Sequence, residues 1–570
     1  MEFILFYVLL TVALLFEGLG FFYGRQLAFF LILLSPFILF IFSKTKTFLL
    51  PRTITLASLV FLAFTLLSLF SSGNLQNSFE GLLFFMSCFI VFVFAYNLKD
   101  EHKKYAGYLV LALGFIFSLY SLFVESASRY FPFLKPTDEY QFVSAIIGSH
   151  NQLGDYLVLP IIVCIYLMLT RTRSKVSTIY YLLFTIFFLP YFLFSFSRSA
   201  YLSLTITSIL IGIMYFGSKI ERGKIIIVSF LIAILALTFS FLVIAAPVNN
   251  SNSIINTINK IFVRRNDLTP LKSASGSRIE YLKEGLSSIV WSPTGVGQGN
   301  FSYTSMKFTD KPAYWTTTSH NIFLDAFVEN GVLGGLGFVV LVGIAFLKSK
   351  KNLYFFLALA MLIDFQGNYS YRFYSFFLLF WAFLGMNQIR IESAKHNFSI
   401  KKMHILLLSI ALVLITVLMI SGNFLLYQKK YSAAFLAYPL NQSVYPELIN
   451  TAPPPQKPML LNTYGLLFSK DPDALIFLGN EYNIPTKRGL SYSFYKRAYE
   501  VQPLSNFLVV KKIYELKMLL EGKKSAESFI NSVFSKLESY NARPWVVDKY
   551  FRSDARVYCV KIYTVCPYRF

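Results

Sequence analysis

Two arginines and one histidine lie in or beside polar segments between long apolar runs, and their side chains suit a phosphorylated substrate. Arg198 lies in a short polar turn, Arg278 lies in an amphipathic segment, and His320 stands just before another apolar run. A guanidinium binds phosphate oxygens through paired, charge-assisted hydrogen bonds. An imidazole, which titrates near neutral pH, can act as a general base on a sugar hydroxyl. Together these residue types are compatible with binding of a phosphate group and activation of a hydroxyl.

Each of these residues also has a structural interpretation. Arg198 can anchor a helix end by extending its head group to the membrane surface. Arg278 can lie on a solvated helix face or pair with Glu280 or Glu284. His320 can cap the helix that follows it. Residue type alone leaves both interpretations open.

Several further polar residues are candidates for supporting roles. An ionisable group at membrane depth is costly, so each one indicates a function or a specific partner. Asp364 and Arg372 can form an ion pair, either in a site or as a structural bond. The other supporting candidates are Asn151, which opens an apolar run, and Asn321 and Glu329 beside His320.

Glycines cluster beside these residues. Gly295, Gly297 and Gly299 lack the strand and helix of a nucleotide-binding loop, and we expect them to allow a tight backbone path. Gly331, Gly334 and Gly335 are expected to allow close helix packing. The sequence has no HExxH, CxxC, EF-hand or Walker pattern, so we predict neither a catalytic metal nor a cofactor.

The composition indicates an integral membrane protein. Of 570 residues, 55% are hydrophobic and 14% are charged, and the mean hydropathy is +0.56. A soluble chain of this length could not bury so much apolar surface. The formal charge of +23 falls mostly in short loops, which indicates membrane orientation rather than nucleic-acid binding.

The apolar runs predict an all-α, polytopic bundle of about thirteen transmembrane helices with about twenty residues in each. Basic residues concentrate in alternate loops, at 44–52, 99–104, 171–175, 219–224, 348–351 and 390–402. The positive-inside rule therefore predicts a cytoplasmic N-terminus and an extracytoplasmic C-terminus. The apolar runs lie at 3–21, 27–43, 54–70, 79–97, 105–124, 153–170, 179–195, 200–217, 225–246, 322–347, 353–368, 372–388 and 405–424.

Two domains follow from this topology. Residues 1–424 form the membrane domain, which includes an extracytoplasmic loop at 247–320, and residues 425–570 form an extracytoplasmic helical tail. Residues 472–505 fit one tetratricopeptide-like unit, although a generic helical hairpin fits equally well. Cys559 and Cys566 near the C-terminus can form a disulfide if the tail lies outside, whereas Cys88 and Cys164 are expected to be inert core thiols.

Three of these segments occur in an order that resembles the O-antigen ligase and polymerase family of bacterial membrane glycosyltransferases. They are the Ser-Arg-Ser turn at 197–199, Arg278 with the glycine-rich run 295–301, and the His-Asn…Glu-x-Gly pattern at 320–331. The start of the sixth apolar run around Asn151 is also similar. The resemblance covers roughly residues 145–390, and the helical tail departs from the family pattern.

The resemblance implies a C-type membrane glycosyltransferase fold in the cytoplasmic (inner) membrane. It implies a metal-independent transferase with an undecaprenyl-pyrophosphate glycan as donor. The acceptor would be a hydroxyl on lipid A-core, on a growing polysaccharide or on a protein. Arg198 and Arg278 would hold the donor pyrophosphate, and His320 would activate or orient the acceptor hydroxyl. The alternatives are a lipid-linked oligosaccharide flippase without catalysis and a membrane-anchored scaffold.

Overall fold

The computed structural model describes residues 2–18, 24–127, 150–170, 175–195, 197–216, 272–309, 315–389, 397–540, 547 and 549–568. The described part is almost entirely helical. Its helices are α1 Glu2–Gly18, α2 Gly24–Phe42, α3 Arg52–Ser68, α4 Leu75–Asn97, α5 Asp100–Lys103, α6 Tyr105–Ala127, α7 His150–Thr170, α8 Lys175–Phe194, α9 Arg198–Phe216, α10 Lys272–Trp291, α11 Phe301–Phe308, α12 Ile322–Leu347, α13 Leu353–Asp364, α14 Tyr374–Asn387, α15 Lys402–Tyr427, α16 Tyr431–Ala437, α17 Val444–Thr451, α18 Lys457–Leu467, α19 Pro472–Glu481, α20 Arg488–Val501, α21 Phe507–Leu520, α22 Lys523–Ser539 and α23 Lys549–Tyr563.

Twelve of the thirteen apolar runs coincide with helices, and the run at 225–246 lies outside the described residues. Within the described part of the chain, six helical segments are long and apolar enough to cross a membrane: Arg52–Ser71, Leu75–Asn97, Asp100–Ser121, Asn151–Thr170, Ile322–Leu347 and Lys402–Tyr427. The other six are shorter apolar helices, so a bundle of thirteen spans stays a prediction. Large apolar side chains such as Leu407, Leu414 and Leu418 are exposed on α15, as a lipid-facing surface requires.

One small ribbon departs from the all-α prediction. Strand β1, Thr47–Pro51, pairs antiparallel with β2, Asn397–Lys401, with Thr47 opposite Lys401 and Pro51 opposite Asn397. Both strands directly precede a helix, and the Asn97 side chain bonds the backbone of Leu49 at 2.9 and 2.8 Å. These three segments come from loops or helix ends that are predicted to be cytoplasmic.

A second contact joins the same group of loops. The Lys350 amine lies 4.0 Å from the Asp100 carboxyl, and its backbone N–H donates to Asn387 at 2.7 Å. Loops predicted to share one side of the membrane therefore meet at one end of the bundle. This is the arrangement that alternating spans produce.

The opposite end of the bundle carries the tail. Helices α16 to α23 form hairpins around small apolar cores, the first of which contains Tyr445, Tyr464 and Leu478. At the predicted repeat unit, α19 and α20 form a hairpin in which Gly479 lies against the Tyr495 ring. A helical hairpin is therefore present, and its assignment as a tetratricopeptide repeat stays a prediction.

The tail is bonded to the membrane domain. The Lys470 amine donates to the Ser71 carbonyl at 3.0 Å, and the Tyr303 hydroxyl donates to Asp471 at 2.6 Å. Asn74 joins the two regions, since its amide donates to Tyr303 at 3.2 Å and to Gln442 at 2.7 Å. The first part of the tail is thus packed against the segment that links α3 to α4.

Candidate active site

Arg198 is the first residue of α9 and lies at the end of the bundle that carries the tail. The turn that carries Arg198 is fixed by a buried carboxylate, because the Ser197 hydroxyl donates to Asp155 at 2.7 Å. Ser197 also lies 3.3 Å from the Ser199 hydroxyl. The serines are buried while Arg198 is exposed. The turn therefore presents the guanidinium outward from a fixed backbone.

A polar network lies beneath this turn. The Ser370 hydroxyl is 2.6 Å from Asp155 and 2.7 Å from Asp364, so one hydroxyl bridges two buried carboxyl groups. Asn368 also donates to Asp155, and Asp364 accepts a hydrogen bond from Ser199. The network ties α7, the start of α9 and the segment after α13 to one another.

Arg278 reaches the same place from α10. Its Nη1 lies within 3.5 Å of the position that a Cβ on Gly367 would take, and Ser199 lies 3.4 Å from that position. Burial of its head group and the charge of nearby Arg198 lower the pKa of Arg278. The two guanidiniums are therefore close enough to repel, and the carboxylates of Asp364 and Asp155 offset that repulsion.

His320 is held between two aromatic rings near Arg278. Its ring is stacked on Tyr281, with centroids 5.2 Å apart and planes 10° apart. It meets Tyr369 edge to face at 5.1 Å. Burial first, and then the positive charge of Arg278, lower the pKa of His320 to about 4, although Asp325 opposes the shift. The imidazole is therefore neutral at physiological pH.

The backbone at His320 adopts a strained conformation, with a φ of 59°. Such strain persists only where neighbouring contacts fix it. Asp325 supplies those contacts, because it accepts from the Ser319 N–H at 2.8 Å and from the Thr318 hydroxyl at 2.7 Å. Asp325 thus positions the segment that carries His320.

Arg372 has partners different from the one expected. The proposed pair with Asp364 is wrong, because Arg372 bonds Asp325 through Nε at 3.2 Å and Nη2 at 2.5 Å, and also bonds Glu329. Asp325 and Glu329 are one helical turn apart on α12 and are both buried. Arg372 bonds both carboxylates and offsets part of their charge, whereas Asp364 bonds Ser370 and Ser199.

The remaining predicted residues have local roles. The Asn321 side chain caps α12 by accepting from the N–H groups of Phe323 and Leu324 at 3.1 and 3.0 Å. Asn151 lies half-buried in the first turn of α7. Among the described residues, no cluster of three or more His, Cys, Asp or Glu side chains could hold a metal ion.

The glycines provide the tight backbone path that was expected. Gly295, Gly297 and Gly299 all have positive φ, between 77° and 90°. A Cβ on Gly295 would lie 2.4 Å from the Glu329 carbonyl, and a Cβ on Gly331 would lie 2.6 Å from the Pro293 carbonyl. Gly331 kinks α12, with a φ of 76°, so its role is a bend in the helix in addition to close packing.

Several residues that shape the site were not predicted from the sequence. Asp155 and Ser370 form the network beneath the arginines, and Tyr281 and Tyr369 hold His320. Asp155 could have been predicted from the sequence, since a lone carboxylate inside an apolar run requires a partner. The two tyrosines could not have been predicted, because aromatic residues are abundant along the whole chain.

One family model matches the part of the chain that contains the two arginines and His320. The family model described as O-Antigen ligase matches residues 183–339, a stretch that contains Arg198, Arg278 and His320. This part of the chain is similar to the O-antigen ligase family. The resemblance to the O-antigen ligase family is therefore confirmed, and the chain is a multi-pass membrane protein.

One curated relative adds detail. The "ComP-specific O-oligosaccharyltransferase" of Acinetobacter baylyi is 24% identical to this ligase-like chain over 346 residues. The alignment covers 57% of the chain and 58% of the relative, so the chain spans less than two thirds of that protein. No solved structure matches the chain significantly.

Proposed function

We propose that this protein transfers a glycan from an undecaprenyl-pyrophosphate donor to a hydroxyl acceptor at the outer face of the cytoplasmic membrane. The observation that carries the proposal is the like-charge pair of Arg198 and Arg278 beside a neutral His320. Two guanidiniums that repel each other gain stability when a dianion binds between them. A diphosphate supplies that charge and matches their fork geometry.

The pair would stabilise the leaving group. As the glycosidic bond breaks, negative charge accumulates on the departing pyrophosphate, and fixed cations lower the free energy of that state. Loss of one such contact typically costs on the order of 10²- to 10³-fold in rate. The pyrophosphate linkage also supplies the driving force for transfer without ATP.

His320 would act on the acceptor hydroxyl. In the free protein the charge of Arg278 is one reason why the pKa of His320 is low. A bound diphosphate would neutralise that charge and raise the pKa of His320 toward the range in which imidazole is an efficient general base. Donor binding would thus prepare the base for the acceptor.

Among the three acceptor classes, the name of the Acinetobacter relative favours a protein hydroxyl. We further propose that the N-terminus is cytoplasmic and the tail extracytoplasmic. Two features support this orientation: the loops predicted to be cytoplasmic meet at one end of the bundle, and Cys559 and Cys566 form a disulfide in the tail. Disulfides persist in oxidising compartments outside the cytosol.

Reconstitution tests the proposal. The purified protein in liposomes is given a lipid-linked glycan, and release of the pyrophosphate lipid is measured for the wild type and for Arg198→Ala, Arg278→Ala and His320→Ala. We expect release by the wild type and a loss of at least about 10²-fold in the arginine variants. Arg488→Ala, a substitution in the tail, is the matched control. Undiminished release in all three variants refutes the site, and lipid movement between leaflets without release favours the flippase.

A further inference from the structure

A second cavity, separate from the arginine pair, opens at the same end of the bundle. It has a volume of about 700 Å³ and lies between α2, α3, α4, α12, α14 and α15, within the range of about 300–1,000 Å³ that is typical of ligand sites. Arg198, Arg278 and His320 do not line it. The bonded group of Arg372, Asp325 and Glu329 lies in its wall.

The charges in this cavity disfavour a diphosphate. Three carboxyl groups, those of Glu80, Asp325 and Glu329, face a single guanidinium, that of Arg372. Arg372 is already bonded to two of these carboxyls. A dianion would therefore find no free cation among the described lining residues, and like charges would repel it. The ligand of this cavity must be neutral or weakly charged.

The polar lining is rich in carboxamides, and among the described residues two of them have a side-chain oxygen that accepts no hydrogen bond. The lining includes Gln76, Asn77, Gln298, Asn330, Asn423 and Asn441. Among the described residues, neither the Asn330 Oδ1 nor the Gln298 Oε1 atom accepts a hydrogen bond, although both atoms are buried. Asn330 itself is 4% exposed. A buried acceptor without a donor is costly, so these atoms indicate a hydroxyl- or amide-bearing ligand.

The lining of the cavity also contains several aromatic side chains. Phe29, Phe61, Phe84 and Phe338 line it. Carboxamides offer both donors and acceptors, as the hydroxyls of a sugar require, and aromatic side chains supply apolar contact surface. The combination fits an uncharged carbohydrate, whose hydroxyl edges are polar and whose ring faces are apolar.

The tail completes the wall of this cavity. The Tyr438 hydroxyl donates to Glu80 at 2.8 Å, and the Asn441 amide donates to Asn423 at 2.7 Å. The Gln442 N–H donates to Gln76 at 2.9 Å. The segment 438–443 therefore bonds to three polar positions of the membrane domain at the cavity.

We infer that this cavity binds an uncharged sugar unit and that tail segment 438–443 helps to determine which sugar it accepts. The inference rests on the proposed glycan transfer. The sugar belongs either to the donor glycan or to a glycan acceptor, because both present the same hydroxyls. The two sources predict different kinetic effects.

Gln298→Leu removes one unpaired carboxamide with little change in size, and exposed Gln456→Leu in the tail is the matched control. Full-length variants in nanodiscs are assayed for pyrophosphate release with donors that differ only in glycan length. We expect Gln298→Leu to raise KM by about tenfold, the effect of one lost hydrogen bond, with a smaller change in kcat.

A higher KM for the donor assigns the sugar to the donor, and a higher KM for the acceptor assigns it to the acceptor. No increase in either KM relative to Gln456→Leu overturns the inference.

A binding measurement separates this inference from the proposed function. The glycan, released from its lipid by mild acid, is titrated into Arg198→Ala protein, and binding is followed by saturation-transfer NMR. Weaker binding after the additional substitution Gln298→Leu supports the cavity, even if the wild type shows no turnover. The substitution Asn441→Ala is a second test of the same kind. Equal binding by every variant, or displacement of the bound sugar by an acceptor peptide alone, refutes it.

Discussion

Protonation of His320 should make the folded protein sensitive to acid. Its pKa is about 4 in the folded state, against an ordinary value of 6.5. Between these two values the unfolded chain binds more protons than the folded one, so stability falls as pH drops from 6.5 toward 4. At pH 5 the difference amounts to about 2 kcal/mol, an upper value because the ring is only partly buried.

The assay is thermal unfolding of the purified protein in detergent at pH 7 and pH 5. We expect the wild type to lose more stability between these pH values than His320→Gln does, since the variant has no group to protonate there. Exposed His404→Gln is the control and should behave as the wild type does. Arg278→Gln should reduce the loss, because the charge of Arg278 contributes to the low pKa of His320. Equal losses for the wild type and His320→Gln would refute the buried, neutral imidazole.

Three further perturbations test the surroundings of the site. Arg372→Met leaves two buried carboxylates without their cation and should destabilise the protein by about 3–5 kcal/mol; the double variant with Glu329→Gln should recover part of that loss in the same thermal assay. Gly331→Ala places a Cβ 2.6 Å from a backbone carbonyl at positive φ, whereas a Cβ on Gly343 meets nothing within 4 Å, so only the Gly331 variant should unfold at a clearly lower temperature. Cys559→Ser opens a disulfide with a sequence separation of 7 and should cost the tail roughly 2–3 kcal/mol, measured by proteolysis of the tail.

Helices were predictable where apolar runs and caps coincide. The run at 322–347 has the same bounds in the structure, because Asn321 caps its start and the polar segment Lys348–Lys351 follows its end. The grouping of Arg198, Arg278 and His320 was predicted from the order of their motifs, which resembles that of the O-antigen ligase family. Their roles in donor binding and catalysis stay predictions.

Contacts between distant segments were not predictable. Asp325 and Glu329 are spaced to share a helix face, which indicates a common cation, but nothing local identifies Arg372 rather than another arginine as that cation. The bonds of the tail to Asn74 and Gln76 depend on ordinary carboxamides, whose pairing is fixed only when the helices pack. Hydrophobic periodicity predicts which face of a helix is apolar, but it does not predict the partner of a polar side chain.

The docking of the tail has a consequence for protein engineering. Deletion of the tail after α15 would leave the Tyr303 hydroxyl without its Asp471 acceptor and would remove the Gln442 partner of Asn74. A shortened protein of this kind would therefore be a poor minimal enzyme for biotechnology. Chimeras that retain residues up to Asp471 and exchange only the later hairpins would preserve these bonds, which makes that junction the better place for a splice.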